Sequence, residues 1–289
     1  MKIRYLLLGL IAFCMISSIA GAQTGEVRGD GSNPLGPQKV YKTIFFGPVI
    51  GYNKSLHSAD LATFDQDILC PSFDKGNANG FHVGFFYEHF FGGILSQHSL
   101  VVRALYNTLP AEFVKEGDDY FSKLDLGGNE YEDILTTTKH QNKVDYNMIS
   151  LDLMYKFRAL TIQDVGALAV TVGPTFDYIM TKKNSQKYFL VEPANVQFKK
   201  LPDEEIAAKG WTYSDDQRTI TVYDGDIEEA SSIRFALKAG LQMEIKLPGT
   251  QFDIIPGIFY NFAFTDVSKQ DWKVNAVQIG VDIRYAYSY

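Results

Sequence analysis

Ser232–Leu247 sets the pattern of this chain: Ile233, Phe235, Leu237, Ala239, Leu241, Met243, Ile245 and Leu247 alternate with Ser232, Arg234, Ala236, Lys238, Gly240, Gln242, Glu244 and Lys246. A period of 2 kept this long predicts one β-strand with an apolar and a polar face, longer than the usual 5 or 6 residues or so. Pro248-Gly249-Thr250 and a second alternating run, Gln251–Phe264, follow at once, so the two read as a tight hairpin.

The same alternation predicts strands at 41–53, 80–90, 97–108, 144–158, 165–179 and over the last residues, from about Val277 to Tyr289. Ile44, Phe46, Pro48, Ile50 and Tyr52 share one face of the first strand, with Gly47 and Gly51 on the other. Pro48, Pro174 and Pro256 carry no N–H for a sheet ladder, so bulges or rim positions are expected there. Long polar segments, 53–79, 109–143 and 180–231, and a moderate one, 265–273, alternate with short turns at 91–93, 159–164 and 248–250. One helical turn is expected around Asp60–Ile68 and another opening at Pro202-Asp203-Glu204-Glu205 and closing at Gly210. Thr219–Tyr223 followed by Asp224-Gly225 reads as a small hairpin. With Tyr188, Phe189, Phe198, Trp211, Tyr213 and Tyr223 among its charges, 180–231 is expected to fold in part, as strand extensions and a helical turn.

The predicted fold is therefore all-β: an eight-stranded antiparallel up-and-down transmembrane β-barrel with meander topology, short turns on one rim and long loops on the other. Side-chain volume decides which face is outside. An eight-stranded barrel has room inside for side chains or one small ligand, and the Phe, Tyr, Leu, Ile and Val of the apolar faces would overfill it. Facing water they would form a patch far beyond the few hundred Å² or so that soluble monomers tolerate. The apolar faces are expected to meet lipid, and closure requires the last strand to pair with the first, because unpaired backbone in hydrocarbon is costly. Aromatic residues near strand ends, among them Phe45, Phe46, Tyr52, Phe90, Tyr106, Tyr178 and Phe262, are placed in interfacial girdles.

Composition adds location. Residues 1–22 have a basic start (Lys2, Arg4), an apolar core and Ala20-Gly21-Ala22, the pattern of a secretory signal peptide cleaved near Ala22. Residues 23–39 read as a flexible periplasmic leader and 40–289 as the barrel. Removing Lys2 and Arg4 with the leader takes the formal charge from −7 to −9, which argues against nucleic acid as a partner. Cys70 is then the one remaining cysteine, so no internal disulfide framework is expected.

Gln278-x-Gly280-x-x-Ile283-x-Tyr285 is similar to the C-terminal assembly signal of small outer-membrane β-barrels of Gram-negative bacteria. Over residues 40–289 the chain resembles those families in pattern, including the OmpX/OmpA-like and PorT-like barrels, although four residues follow Tyr285. The resemblance implies an outer-membrane location, lipid and lipopolysaccharide as surroundings, and insertion by the barrel assembly machinery. It leaves any extracellular ligand unnamed.

Candidate chemistry lies on the polar faces. His82, Glu88, Arg103, Asp152, Lys156, Asp177, Arg234, Lys238, Glu244, Asp253, Asp282 and Arg284 are expected to line the lumen, as a selective pore or as an ion-paired plug. The plug is favoured, since buried charges need partners and the lumen is narrow. Leu241→Arg is expected to disturb assembly and Lys238→Gln to leave it intact. No His-x-Ser pair, phosphate loop, metal-ligand spacing or cofactor motif is present, and adjacent His57-Ser58 and His98-Ser99 would point to opposite faces. The expected role is non-enzymatic: a structural or surface-interaction protein working through its long loops. A narrow solute channel and a secretion-accessory barrel resembling PorT are the alternatives.

Overall fold

The computed structural model describes residues 26–27, 40–41, 43–61, 73–91, 96–127, 130–162, 165–198, 201–268 and 271–288. In chain order the strands are β1 (Glu26–Val27), β2 (Val40–Tyr41), β3 (Thr43–Leu61), β4 (Phe73–Phe90), β5 (His98–Thr108), β6 (Ala111–Gly127) and β7 (Glu130–Ile162). They continue with β8 (Gly166–Glu192), β9 (Val196–Gln197), β10 (Thr212–Tyr213), β11 (Thr219–Asp226), β12 (Ile233–Lys246), β13 (Phe252–Ala263) and β14 (Lys273–Ser288). A single described helix, α1 (Asp203–Lys209), lies between β9 and β10.

Eight strands close into an antiparallel ring in the order β3-β4-β5-β7-β8-β12-β13-β14, and β14 returns to β3 through pairs such as Gly280↔Gly51 and Tyr285↔Phe46. Within the ring, strand neighbours follow one another along the chain once the outer strands are set aside. Side-chain alternation gives each strand an inner and an outer face. Met154, Asp152 and Ser150 of β7 look inward and are buried, while Tyr155 and Leu151 look outward and are exposed.

Beyond one rim the strands do not stop. β7 is 33 residues long and β8 is 27. Their upper halves pair with each other, β6 lies along β7, and β11 lies along β8. Two expected loops are thereby corrected: the described part of 53–79 is the ends of β3 and β4, and 109–143 is the β6–β7 hairpin. The third, 180–231, contains the rest of β8 with β9, α1, β10 and β11, the strand extension and helical turn expected of it. Alternation stops where the apolar outer face ends, but hydrogen-bonded pairing needs no apolar face and continues past it. A bulge marks the change in β8: Met148 pairs with Ile179 but Asn147 pairs with Thr181, so Met180 is extra and the inward parity switches from odd to even.

Other expectations change too. Asp224-Gly225 is no turn, because β11 runs straight through it, pairing Asp224 with Ser185 and Gly225 with Asn184. The helix after Pro202 is present, with acidic residues in its first turn and Gly210 at φ 69° closing it. The turn expected around Asp60–Ile68 lies, apart from its first two residues in β3, outside the described residues, as do Cys70 and the leader 1–22. Residues 23–39 are described at Glu26–Val27 alone, which pairs with Val40–Tyr41.

The three prolines make neither bulges nor rim positions. Beside Pro48 the β14 ladder lacks the pairs between Asp282↔Val49 and Tyr285↔Phe46, yet the register is unchanged, and the opposite side keeps Pro48↔Phe85. Pro174 interrupts the β7 side in the same way and keeps Leu237, and Pro256 interrupts the β12 side and keeps Val281. Each strand loses ladder bonds on the one side where the missing N–H would have donated. At the adjoining Gly47 and Gly173 the neighbouring strand comes so near that a Cβ would overlap the carbonyls of Ile283 and Leu153.

Candidate functional site

The inner face of the ring is a stack of layers, built by residues of one parity on eight strands. Nearest the short turns is an ion network. Lys156 Nζ sits 2.8 Å from Glu88 and 2.5 Å from Glu244. Arg284 bridges Glu88 at 2.9 Å, Glu244 at 2.9 Å and Asp253 at 2.6 Å. Arg158 adds a second guanidinium to Glu244 at 2.8 Å, and Ser99 donates to Glu88 at 2.7 Å. Phe45 and Phe90 close this end: their rings meet edge to face at 4.9 Å, and Arg284 lies 5.3 Å and 5.6 Å from the two centroids. These two aromatic residues are therefore inside, against the girdle position expected for them, because their parity is that of Glu88 and Arg284.

An apolar group of Val49, Phe86, Val101, Leu105, Met154 and Phe259 fills the next volume. Two pairs run through this level: Arg103 to Asp282 at 2.5 Å, with its guanidinium 4.5 Å over Phe259, and Lys238 to Asp152 at 2.6 Å. Thr175 donates to Asp152 at 2.8 Å and Gln242 to Asp282 at 3.0 Å. Above them Arg234 pairs with Asp177 and donates to Asn261 at 2.7 Å and the Val274 carbonyl at 2.6 Å. His82, Asn53, Gln278 and Asn107 complete an amide network, with His82 Nδ1 2.7 Å from Asn53 Oδ1.

A third layer seals the far end. Phe113, Tyr146, Met148, Trp272 and Val274 are fully buried in one apolar cluster with Leu109, Phe73 and Ile227. His57 is held in it, its Nδ1 accepting from Trp272 Nε1 at 3.1 Å and its Nε2 donating to the Leu109 carbonyl at 3.0 Å.

All twelve residues expected on the inner face are there. Eleven are buried, and Asp253 is half-buried at the short-turn rim. The described charges of the network balance: Arg103, Lys156, Arg158, Arg234, Lys238 and Arg284 stand against Glu88, Asp152, Asp177, Glu244, Asp253 and Asp282, and each has an opposite partner. Lys238 is thus no tolerant lumen position, since glutamine there would leave the buried Asp152 without its counter-ion. Sequence reasoning missed Arg158 as a network member, although it shares parity with Lys156. It also missed the inner apolar layers, because runs such as Phe85-Phe86-Tyr87 and Ile258-Phe259-Tyr260 hide the inward residue among apolar neighbours.

Of the assembly-signal residues, Gln278 and Gly280 face inward, Ile283 is exposed, and Tyr285 packs outside against Phe46 and Phe252 at 5.7 Å and 5.0 Å. His98 and Ser99 do point apart, His98 exposed and Ser99 buried on Glu88. Among the described residues no group of three or more His, Cys, Asp or Glu side chains is placed to hold a metal ion.

No family model and no curated protein matches the chain. Solved structures similar to it include Ail, the attachment invasion locus protein of Yersinia pestis, in complex with the heparin analogue sucrose octasulfate, at 16% identity over 84% of this chain and 99% of that one, TM-score 0.28. The translocator domain of the autotransporter NalP from Neisseria meningitidis shows 10% identity over 89% and 91%, TM-score 0.24. The transport unit of the autotransporter AIDA-I from Escherichia coli shows 9% over 94% and 97%, TM-score 0.21.

Proposed function

We propose that the ring is a β-barrel crossing the outer membrane of a Gram-negative cell, and that the protein is a non-enzymatic surface protein acting through the strands beyond the outer rim. The carrying observation is the inverted packing of the ring: charges buried inside, large apolar side chains exposed outside. Phe85 is 70% exposed, Ile50 62%, Tyr178 61% and Ile233 52%, on four different strands. Ile233 to Met243 spans ten residue steps along β12. At about 3.3 Å per step and the tilt that ring closure imposes, the band is about 25 Å high, the apolar height of such barrels. Aromatic side chains edge it on both sides, Phe46, Tyr285 and Phe252 near the short turns and Phe176, Phe235, Phe81 and Tyr106 near the other rim.

The sealed interior speaks for a plug rather than a conduit. Charges already paired with one another offer little to a passing ion, and a buried aromatic layer lies over them. The interaction role is supported by the outer strands, which carry their own core of Leu190, Val196, Phe198, Ile220 and Val222. A mere connector would need no such core. Ail is crystallised with a sulfated sugar, and an acidic outer region like this one, with Asp203, Glu204, Glu205, Asp224, Asp226, Glu228 and Glu229, favours cationic surfaces instead.

Two measurements test the reading. In planar bilayers the purified protein should show no stable unit conductance; regular channel steps would restore the pore alternative. An epitope inserted after Gly210 should bind antibody on intact cells; binding only after the outer membrane is breached would invert the topology.

A further inference from the structure

From Phe81 to Tyr87 on β4 and from Leu100 to Tyr106 on β5 the outer face carries Phe, Val, Tyr, Leu and Ala, and at the short-turn rim beyond them His89 and His98 are exposed. The pairing Phe90↔Ser99 and His89↔Leu100 makes them diagonal neighbours across the hairpin, about 7–8 Å apart at Cα. Each imidazole is held the same way. His98 Nδ1 is 2.5 Å from the Tyr155 hydroxyl and its ring stacks on Phe157 at 5.2 Å. His89 Nδ1 is 3.4 Å from the Tyr87 hydroxyl, and its ring meets Phe91 at 6.1 Å. Nδ1 of each ring is thus engaged and Nε2 is the nitrogen left for a ligand; a neutral ring donates from it as the Nε2–H tautomer, with the tyrosine hydroxyl donating to Nδ1. Among the described residues no Asp, Glu, Lys or Arg lies on the outer face of β4 from Phe81 on, of β5, or of β7 over Ile149, Leu151, Leu153, Tyr155 and Phe157.

We propose that His89 and His98 form a headgroup site on the wall of the barrel, their two Nε2–H groups donating to the phosphate of one phospholipid. The inference rests on the membrane-spanning reading. Tyr87 lies level with Phe46 of the aromatic edge, and His89 lies one outward-facing position nearer the rim, the depth at which headgroups replace acyl chains. An anionic phosphate has two non-bridging oxygens to accept both bonds, and a charged acceptor strengthens them. Phe91 and Phe157 beside the imidazoles give the glycerol and acyl portion an apolar seat, which favours a lipid over free phosphate.

The test uses the full-length protein, labelled with ¹⁵N in its histidine rings and held in maltoside micelles, which contain no phosphate. Adding short-chain phosphatidylglycerol should move the Nε2 resonances of His89 and His98 saturably and leave those of the buried His57 and His82 in place. H89F/H98F, which keeps the ring stacking at two exposed positions, should retain that lipid about tenfold less tightly in native mass spectrometry. Equal shifts with inorganic phosphate would overturn the lipid assignment, and so would no shift with lipid or undiminished lipid retention by the variant. Flotation with phospholipid vesicles separates the two readings. A protein that floats but shows no shift loses this site alone; one that does not float loses the barrel reading and this site with it.

Discussion

The ring and the strands beyond it are made from the same polypeptide ladders and packed in opposite senses. Along β7, Tyr155, Leu151 and Ile149 face out and Lys156, Asp152 and Ser150 face in. Past Asn147 the outward positions become Asp145, Lys143, Gln141 and Lys139, while Tyr146 and Val144 turn inward and are buried. One strand therefore passes from a polar-centred to an apolar-centred environment, at the bulge in β8 and where its other neighbour changes from β5 to β6. The difference teaches that surroundings, not strand formation, set which face carries apolar side chains. In the ring, specificity lies in buried ion pairs; in the outer region it lies in a small apolar core and in one arginine. Arg218 donates to the carbonyls of Leu190, Val191, Pro193, Ala194 and Val196, tying the end of β8 to β9.

The comparison breaks most readily at the ring interior. Arg284→Ala removes the cation shared by Glu88, Glu244 and Asp253 and leaves three carboxylates to Lys156 and Arg158; the uncompensated negative charge in this buried cluster should cost about 3–5 kcal/mol. Urea unfolding of the folded, heat-modifiable form in micelles should show it; a loss under about 1 kcal/mol, the range of exposed pairs, would mean the network is solvated.

A matched pair of apolar-to-charged changes comes next. Leu241 in the ring is 49% exposed and Val114 in the outer region 46%. Leu241→Arg should destabilise by about 2–4 kcal/mol if its surroundings are lipid, whereas Val114→Arg, in water, should stay within about 0.5 kcal/mol. Equal costs, read from the same unfolding curves, would erase the proposed boundary between the two regions.

Arg218→Ala should loosen the outer region alone. Hydrogen bonds from a charged group contribute about 1.5–3 kcal/mol at most, less at an exposed site. Amide exchange should quicken over 188–198 and 212–221 while ring amides stay protected; faster exchange in the ring would show that the two regions unfold as one.

The smallest effect is at the β10–β11 turn. The Ser214 hydroxyl and the Arg218 N–H, which bond Asp216, hold its carboxyl below the usual range. A depressed folded value means this contribution is present above the ordinary aspartate value, about 3.9, and lost as pH falls through the lower one. Amide exchange at Gln217–Thr219, corrected for intrinsic rate, should rise on acidification and lose that rise in Asp216→Asn; an unchanged acid response in the variant would remove Asp216 as its cause.

By itself the sequence determined the eight ring segments, their faces and their order, because apolar–polar alternation survives wherever the two sides of a strand meet different surroundings. It also marked His82, Asp152, Lys238 and the other charged inner positions by parity alone. Which charge meets which was beyond it: Arg103 and Asp282 are 179 residues apart, and only ring closure brings β5 and β14 across one lumen. The outer extension was hidden at 53–79 and 109–143, because strands with polar outer faces look like loops. In 180–231 aromatic residues among the charges announced strand extensions, but the Met180 bulge shifts the parity that would have traced β8 onward. The inner apolar layers needed the structure for a related reason. Where a strand is apolar on both faces, as at Phe85-Phe86-Tyr87, alternation carries no signal, and only packing decides that Phe86 is the one inside.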